Sequence, residues 1–357
     1  MEERGAHDMS ETRSELGCEA GAVWHPNRRL PSCRLSPLVA LAIALAPAVA
    51  AGQAAPFQLE WGTPGTGNGQ FLFPEVAGVA LDEEGNIYVC DNGNARVQKF
   101  TSSGGFILKW GGLFTGEPWQ FSVGTPNAIA VDDSGFIYAA RGNGRIQKFT
   151  SNGTFITEWG DTGSGNGEFL GCYGIAIAGT TIFAADRDNR RIQMFTTSGT
   201  FLSAWGIGGT ASGQLAAPHD VATEAGGTIL VLDRLITPRV QRFTSTGQHL
   251  MTFGSPGSGD GQLSEPAKLA VGSNGSIYVA DSNNHRIQVF SQDGQFLAKW
   301  GGGPNNTPGF FNYPEGIAVD PTGNIYVLDN NNNRIQKFGP VTATRTSTWG
   351  RLKSLYK

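Results

Sequence analysis

One phrase is written six times along this chain: DNGNARVQKF at 91–100, RGNGRIQKF at 141–149, DRDNRRIQMF at 186–195, DRLITPRVQRF at 233–243, DSNNHRIQVF at 281–290 and DNNNNRIQKF at 329–338. Its arginine falls at 96, 145, 191, 239, 286 and 334, at intervals of 49, 46, 48, 47 and 48 residues. A period of this size marks a propeller or a solenoid. Each unit carries four short apolar segments, such as GIAVD (316–320), NIYVLD (324–329), RIQKF (334–338) and TSTWG (346–350) in the last. Each alternates apolar and polar residues over about five positions, the signature of a strand. Glycines in D-E-E-G-N (82–86) and D-P-T-G-N (320–324) stand where tight hairpins need positive φ. With 51 glycines, 16% charged residues and no helical period across 57–350, the expectation is an all-β six-bladed β-propeller with four antiparallel strands per blade.

The ends of the repeat region argue against a linear stack, which needs polar caps. FQLEWG (57–62) and RTSTWG (345–350) are both surplus copies of the fourth strand. The expectation is a ring closed by the N-terminal strand, with 57–61 in the sixth blade and 345–350 in or beside it.

The phrases GIAVD, IYVAD, N-x-R-I-Q-x-F and WG in this register resemble those of the NHL-repeat propellers, over about 53–350. The resemblance implies the fold and leaves the activity open, because one fold hosts many functions.

The organisation has three parts. Residues 1–50 read as a secretory signal with a polar extension, expected to be removed. Arg28, Arg29 and Arg34 precede an apolar run from Leu35 to Ala50 that ends on Ala48-Val49-Ala50. The run is interrupted by Pro37 and Pro47 and is shorter than the ~20 residues of a spanning helix. Residues 51–350 form the propeller, and 351–357 are a short basic tail. A secreted or periplasmic, monomeric protein with no membrane span after signal removal is expected. The formal net charge is −4, and removing residues 1–51 leaves 21 basic against 24 acidic residues. That balance argues against nucleic acid as a partner. Cys90 and Cys172, in different repeats, read as separate buried thiols.

The repeated charges have a structural reading. Asp91 with Arg96, Asp186 with Arg191, Asp233 with Arg239, Asp281 with Arg286 and Asp329 with Arg334 form a charge-assisted clasp on each second-to-third-strand loop. The second unit departs from this. Arg141 replaces the aspartate, leaving Arg141 and Arg145 without the local acid and marking a specialised spot. The runs GTGNG (65–69), GSGNG (163–167) and GSGDG (257–261) precede strands, not helices, and read as flexible links rather than phosphate loops.

Function is expected where the copies differ. In this topology the residues just before each first strand and those on the second-to-third loops gather at one mouth of the central channel. The candidate ligand-binding residues are Asn127, Arg141, Tyr173, Arg187, His219, Asp220, Lys268, His285 and Glu315. Arg141 and Lys268 would pair anions and Tyr173 would stack. The leading expectation is a non-catalytic module that binds a protein, peptide, glycan or small polar ligand, with no cofactor, metal or catalytic residue assigned. The alternative is a metal-assisted lyase or hydrolase centred on His219 and Asp220. PHDV (218–221) resembles a histidine strand start of the peptidylglycine amidating lyases, and streptogramin-type lyases are similar propellers. Both resemblances imply histidine-rich sites, and Asn127, Tyr173, Ala267 and Glu315 occupy the matching positions here. Neither G-x-S-x-G nor H-E-x-x-H occurs.

Overall fold

A computed structural model describes residues 54–73, 77–112, 121 and 125–341. The signal-like segment 1–50, the strand copy 345–350 and the tail lie outside these residues. Six four-stranded antiparallel sheets are present. Blades 1 to 5 span 79–111, 126–159, 172–205, 218–253 and 269–301. Blade 6 takes Pro314–Val319, Ile325–Asp329 and Arg334–Phe338 from the C-terminal side and Phe57–Trp61 from the N-terminal side. Leu59 pairs with Lys337 and Trp61 with Ile335, so the N-terminal strand closes the ring as expected. The first strands contact one another cyclically, blade 6 against blade 1 included. Helical structure among the described residues is limited to the single 3-10 turns Asn92–Asn94, Ser282–Asn284 and Asn330–Asn332.

The core lies between blades, and its residue sizes follow a wedge. Near the axis the sheets converge, and every first strand presents an alanine to the next blade: Ala80, Ala130, Ala176, Ala222, Ala270 and Ala318. Farther out, the second strands place Tyr88, Tyr138, Phe183, Leu230, Tyr278 and Tyr326 in the widening gap. At the rim, an aromatic ring of five of the six fourth strands lies on a glycine of the next blade's hairpin. A Cβ on Gly104, Gly153, Gly199, Gly247 or Gly294 would come within 3 Å of Trp61, Trp110, Trp159, Trp205 or Phe253 respectively. Dense interiors tolerate no such overlap. The paired W-G and turn-G spellings of the repeat are two halves of one contact.

The repeated phrase does more than clasp its own loop. Arg96 Nε donates to Asp91 Oδ2 at 2.6 Å. Its other nitrogens donate to the carbonyls of Thr66, Gly67 and Gln70, all in the connection entering the blade. Asn94 reaches Gly65 O, Gln98 reaches Gln70 O, and Asp91 Oδ1 accepts from Leu72 N. The same set recurs at Asp281, Asn284, Arg286 and Gln288. The glycine-rich runs are therefore pinned and not flexible links. Their amides are also spoken for: Gly67 N donates to Gln70 Oε1 and Gly69 N to Gln98 Oε1, which leaves no nest for an anion.

The clasps are not equivalent, although the repeated spelling leads one to expect it. In blade 3, Arg191 Nε donates to Asp186 Oδ2 at 2.7 Å, so the pairing holds. Its enclosure does not match the others. The Arg191 side chain is 16% exposed, against 6% for Arg96, 8% for Arg239, 7% for Arg286 and 8% for Arg334. The bonding is shared: Arg191 grips the Gly165 and Glu168 carbonyls through Nη2, as Arg286 grips those of Gly259 and Gln262, so the difference lies in exposure. The Arg191 clasp is thus paired as expected but more open to water than the other four.

Blade 2 replaces the clasp with a longer reach. Glu158, on its fourth strand, is bonded to Arg145 and Gln147 and lies 3.8 Å from Arg141. The acid missing from the phrase is supplied from across the sheet.

The clasp yields a stability prediction. Asp281 is fully buried and faces a guanidinium that is itself 7% exposed. Asp281→Ala strands Arg286 and is expected to cost about 3–5 kcal/mol, read as a lowered urea midpoint. Asp260→Ala removes the partner of an exposed Lys299; the expected cost is under ~1 kcal/mol. Equal losses in the two variants would show that the clasp is not a structural pin.

Candidate functional site

The first strands surround a channel cavity of about 280 Å³. They are the inner edges of their sheets, paired on one side only. At the mouth, the pairing of first and second strands slips by a residue in blades 2, 3, 4 and 6, at Asn127, Tyr173, His219 and the Glu315–Gly316 step. A bulge of this kind re-aims a side chain. Around the ring the first-strand entry position reads Ala77, Asn127, Tyr173, His219, Ala267, Glu315, and the next reads Gly78, Ala128, Gly174, Asp220, Lys268, Gly316; the structure places Asn127, Tyr173, His219 and Glu315 second in their strands rather than before them. Small residues are needed where backbones crowd: a Cβ on Gly174 would sit 2.6 Å from the Asp220 backbone. Charge enters this inner ring only at Asp220 and Lys268, in neighbouring blades.

These residues form a buried floor. Lys268 Nζ pairs with Asp220 Oδ1 at 3.2 Å and also donates to the Tyr173 carbonyl. Asp220 Oδ2 accepts from Leu269 N at 2.9 Å. Burial pushes the Asp220 carboxyl up, opposed by the Lys268 ammonium. His219 is fully buried, with Nδ1 2.9 Å from the Ala267 carbonyl and Nε2 3.3 Å from Arg234 Nη1. A carbonyl can only accept, so the hydrogen sits on Nδ1 and Nε2 accepts from the guanidinium. Burial, then Lys268 and Arg234, hold the imidazole well below its ordinary value, and it stays neutral. Glu315 is buried and accepts from Ala77 N at 3.2 Å, linking blade 6 to blade 1.

Above the floor lies a half-buried arc across blades 3 to 6. The Arg187 guanidinium lies over the Tyr173 ring at 4.1 Å, and that ring stacks on His219 at 5.1 Å. Arg234 joins His219 to Glu265, 3.6 Å away, and Tyr313 Oη donates to Glu265 Oε2 at 3.0 Å. His285 Nδ1 accepts from Tyr313 N at 3.0 Å. Arg187 and Arg234 retain 24% and 13% side-chain exposure, enough to meet a ligand.

The sequence candidates divide between these layers. Tyr173, Arg187, His219, Asp220 and Lys268 form one connected group, and His285 sits at its far end. Asn127 is buried in blade 2 and accepts from Thr125 Oγ1. Arg141 does not serve the mouth as expected. It occupies the aspartate's place in the clasp, buried, with its guanidinium toward Glu158 on the outer strand. Lys268, 5% exposed, is committed to Asp220 and does not present a free ammonium. Tyr173 stacks within the protein. Arg234 was legible only as one of several loop residues. Glu265 and Tyr313 were missed; each stands immediately before a proline at or near a first-strand start, Pro266 ahead of Leu269–Val271 and Pro314 opening Pro314–Val319, and each has positive φ (44° and 64°). A bulky residue before proline at a strand entry was the available signal.

A divalent cation does not fit this floor. Both His219 nitrogens are engaged, and the nearest charges on it are Lys268, Arg234 and Arg187. Among the described residues no group of three or more His, Cys, Asp or Glu side chains could hold a metal ion. A site for zinc needs about three protein ligands.

The neutral His219 can be tested by titration. Its folded value lies below about 6.5, the ordinary one, so the unfolded chain takes up a proton first as pH falls. Stability present above about pH 6.5 is therefore expected to decline below it. The decline should be smaller in His219→Gln, read as melting temperature against pH, and the His219 ring resonances should not shift between about pH 8 and 6. An ordinary titration near pH 6.5 would contradict the assigned environment.

Comparison with known proteins agrees with this architecture. The NHL repeat model matches residues 73–100, 263–290 and 311–338, in blades 1, 5 and 6. No curated protein sequence matches the chain. A solved streptogramin B lyase is similar over 76% of this chain and 95% of its own, at 15% identity and a TM-score of 0.54. A catalytically inactive histidine-to-alanine virginiamycin B lyase from Staphylococcus aureus, solved with quinupristin, is similar over 78% of this chain and 83% of its own, at 16% identity and 0.53. A Kuenenia stuttgartiensis hydrazine synthase aligns over 74% and 83%, at 12% identity and 0.51. At such identities the likeness establishes the fold alone. Three stretches match the NHL repeat model and all six blades share one construction, so the chain is a six-bladed β-propeller that carries NHL repeats.

Proposed function

We propose that this propeller is a non-catalytic binding module, acting outside the cytoplasm, that takes an anionic group of a small molecule, peptide or glycan at the channel mouth. One observation carries the reading. The mouth presents two guanidiniums, Arg187 and Arg234, braced on a stacked Tyr173–His219 pair. Beneath them the titratable groups are tied into the protein. A general base needs a free lone pair within reach of substrate. His219 has none, and Asp220 is held by Lys268 and a backbone amide. Preorganised donors above a satisfied floor suit recognition. The location rests on the arginine-flanked apolar run ending at Ala48-Val49-Ala50.

The lyase reading has one support, the likeness to streptogramin B and virginiamycin B lyases. It predicts turnover of quinupristin by the purified chain, followed by mass spectrometry; none is expected, and turnover would replace the binding reading. The binding reading is tested by the double variant Arg187→Gln/Arg234→Gln. Any anionic ligand found by screening residues 51–357 should bind it at least ~10-fold more weakly, about 1.4 kcal/mol, with an unchanged circular dichroism spectrum. Unchanged affinity would remove the mouth from consideration.

A further inference from the structure

The loop that carries Arg234 differs from its counterparts. Asp233 and Arg239 are six residues apart, whereas the other Asp–Arg clasps span five. The added length is spent on a tight turn. Thr237 N donates to the Leu235 carbonyl at 2.7 Å, closing three residues around Ile236 at φ +67°. A γ-turn with positive φ at its centre is rare and strained. A β-branched residue is the least suited to it. The same turn leaves Ile236 70% exposed and Leu235 42% exposed, next to the guanidinium that meets His219. Glycine or asparagine would make this turn at lower cost, and a polar residue would be better hydrated. Strain and exposed apolar surface at one point are both explained if the tip covers a ligand.

The charges nearby narrow the ligand. Arg187 holds Asp188 through Nε at 2.9 Å and Nη2 at 3.2 Å, and Arg234 donates from Nη1 to His219 with its Nη2 3.6 Å from Glu265. Two cations flanked by two anions favour a monoanion over a phosphate dianion. With those edges engaged, one charge-assisted bond from each guanidinium would hold a carboxylate between them. We propose that Arg187, Arg234 and the Leu235–Ile236 tip form one site for a carboxylate bearing a branched apolar group. That chemistry is shared by free branched-chain acids and by peptides ending in leucine, valine or isoleucine. The inference rests on the binding reading above and specifies its ligand class.

The test combines calorimetry with NMR of the arginine Nε–Hε signals in the chain 51–357. The probes are 3-methylbutanoate, its amide, acetate, and a pentapeptide ending in leucine as the free acid. The branched acid or the peptide acid should bind at least ~10-fold more tightly than acetate or the amide, shifting the Arg187 and Arg234 signals. Tighter binding of the peptide assigns chain termini as the source, and tighter binding of the free acid assigns small acids. Ile236→Gly should abolish the advantage over acetate while the melting temperature stays level or rises, because the turn is relieved. Ile236→Asn, which also tolerates left-handed φ, repeats the test with a polar tip. Equal binding of branched acid and acetate, or an advantage that survives both variants, overturns the inference; arginine signals that still shift leave the anion-binding reading standing. No shift with any carboxylate overturns both.

Discussion

The ring depends on how each connection between blades is held. Four antiparallel strands make a blade, but nothing in a sheet says where the next sheet must start. The Asp-x-x-Asn-x-Arg-x-Gln side chains answer that. One buried carboxylate gathers an arginine, an asparagine and a glutamine, and these grip the carbonyls of the incoming connection. A buried carboxylate and guanidinium are costly alone and favourable only when every lone pair and proton is matched. The connection supplies those matches, so blade and linker become one unit. Blade 2 shows what the arrangement must keep: when the aspartate is lost, an acid from another strand takes over the arginine.

Side-chain size then decides how units stack. Sheets that share an axis must diverge, and the series alanine, tyrosine, tryptophan from inside to outside fills that divergence. The outermost rings close the gap against hairpin glycines that have no Cβ to obstruct them. The N-terminal strand completes the last blade and extends the clasp there, with Arg334 reaching Glu60 as well as Asp329. A scaffold satisfied in this way can carry local departures at its mouth. They concentrate in blades 3 to 5, where Tyr173, His219, Asp220 and Lys268 replace small residues and Arg187 and Arg234 follow the clasp aspartates.

The site is built in two layers, which explains why it was half legible. Departures from the repeat are visible at aligned positions, and those positions mark the floor: Tyr173, His219, Asp220, Lys268 and Glu315. The repeat register says nothing about exposure. Bulged strand starts at Tyr173, His219 and Glu315, and the unbulged entry at Lys268, place these side chains where they bond one another and neighbouring backbone. The residues left facing solvent, Arg234, Glu265, Tyr313, Leu235 and Ile236, lie on connections whose path is set by contacts with other blades. Arg141 misled for the same reason, because its departure is visible but its side chain follows the clasp aspartate outward. Arg191 is the converse case: its spelling matches the other clasps, and only its neighbours leave it more open to water.

The sequence alone determined the blade count, the strand order within each unit, closure by the N-terminal strand, and the pairing of each aspartate with its arginine. All of these follow from local periodicity, turn chemistry and a phrase repeated at a near-constant interval. Only the tertiary structure decided which variable residues are buried, that the glycine-rich runs are gripped, that Glu158 stands in for a missing aspartate, and that Arg234 bridges His219 and Glu265. These outcomes depend on side chains from different blades meeting, and a repeat in one dimension carries no information about which neighbour completes a hydrogen bond in three.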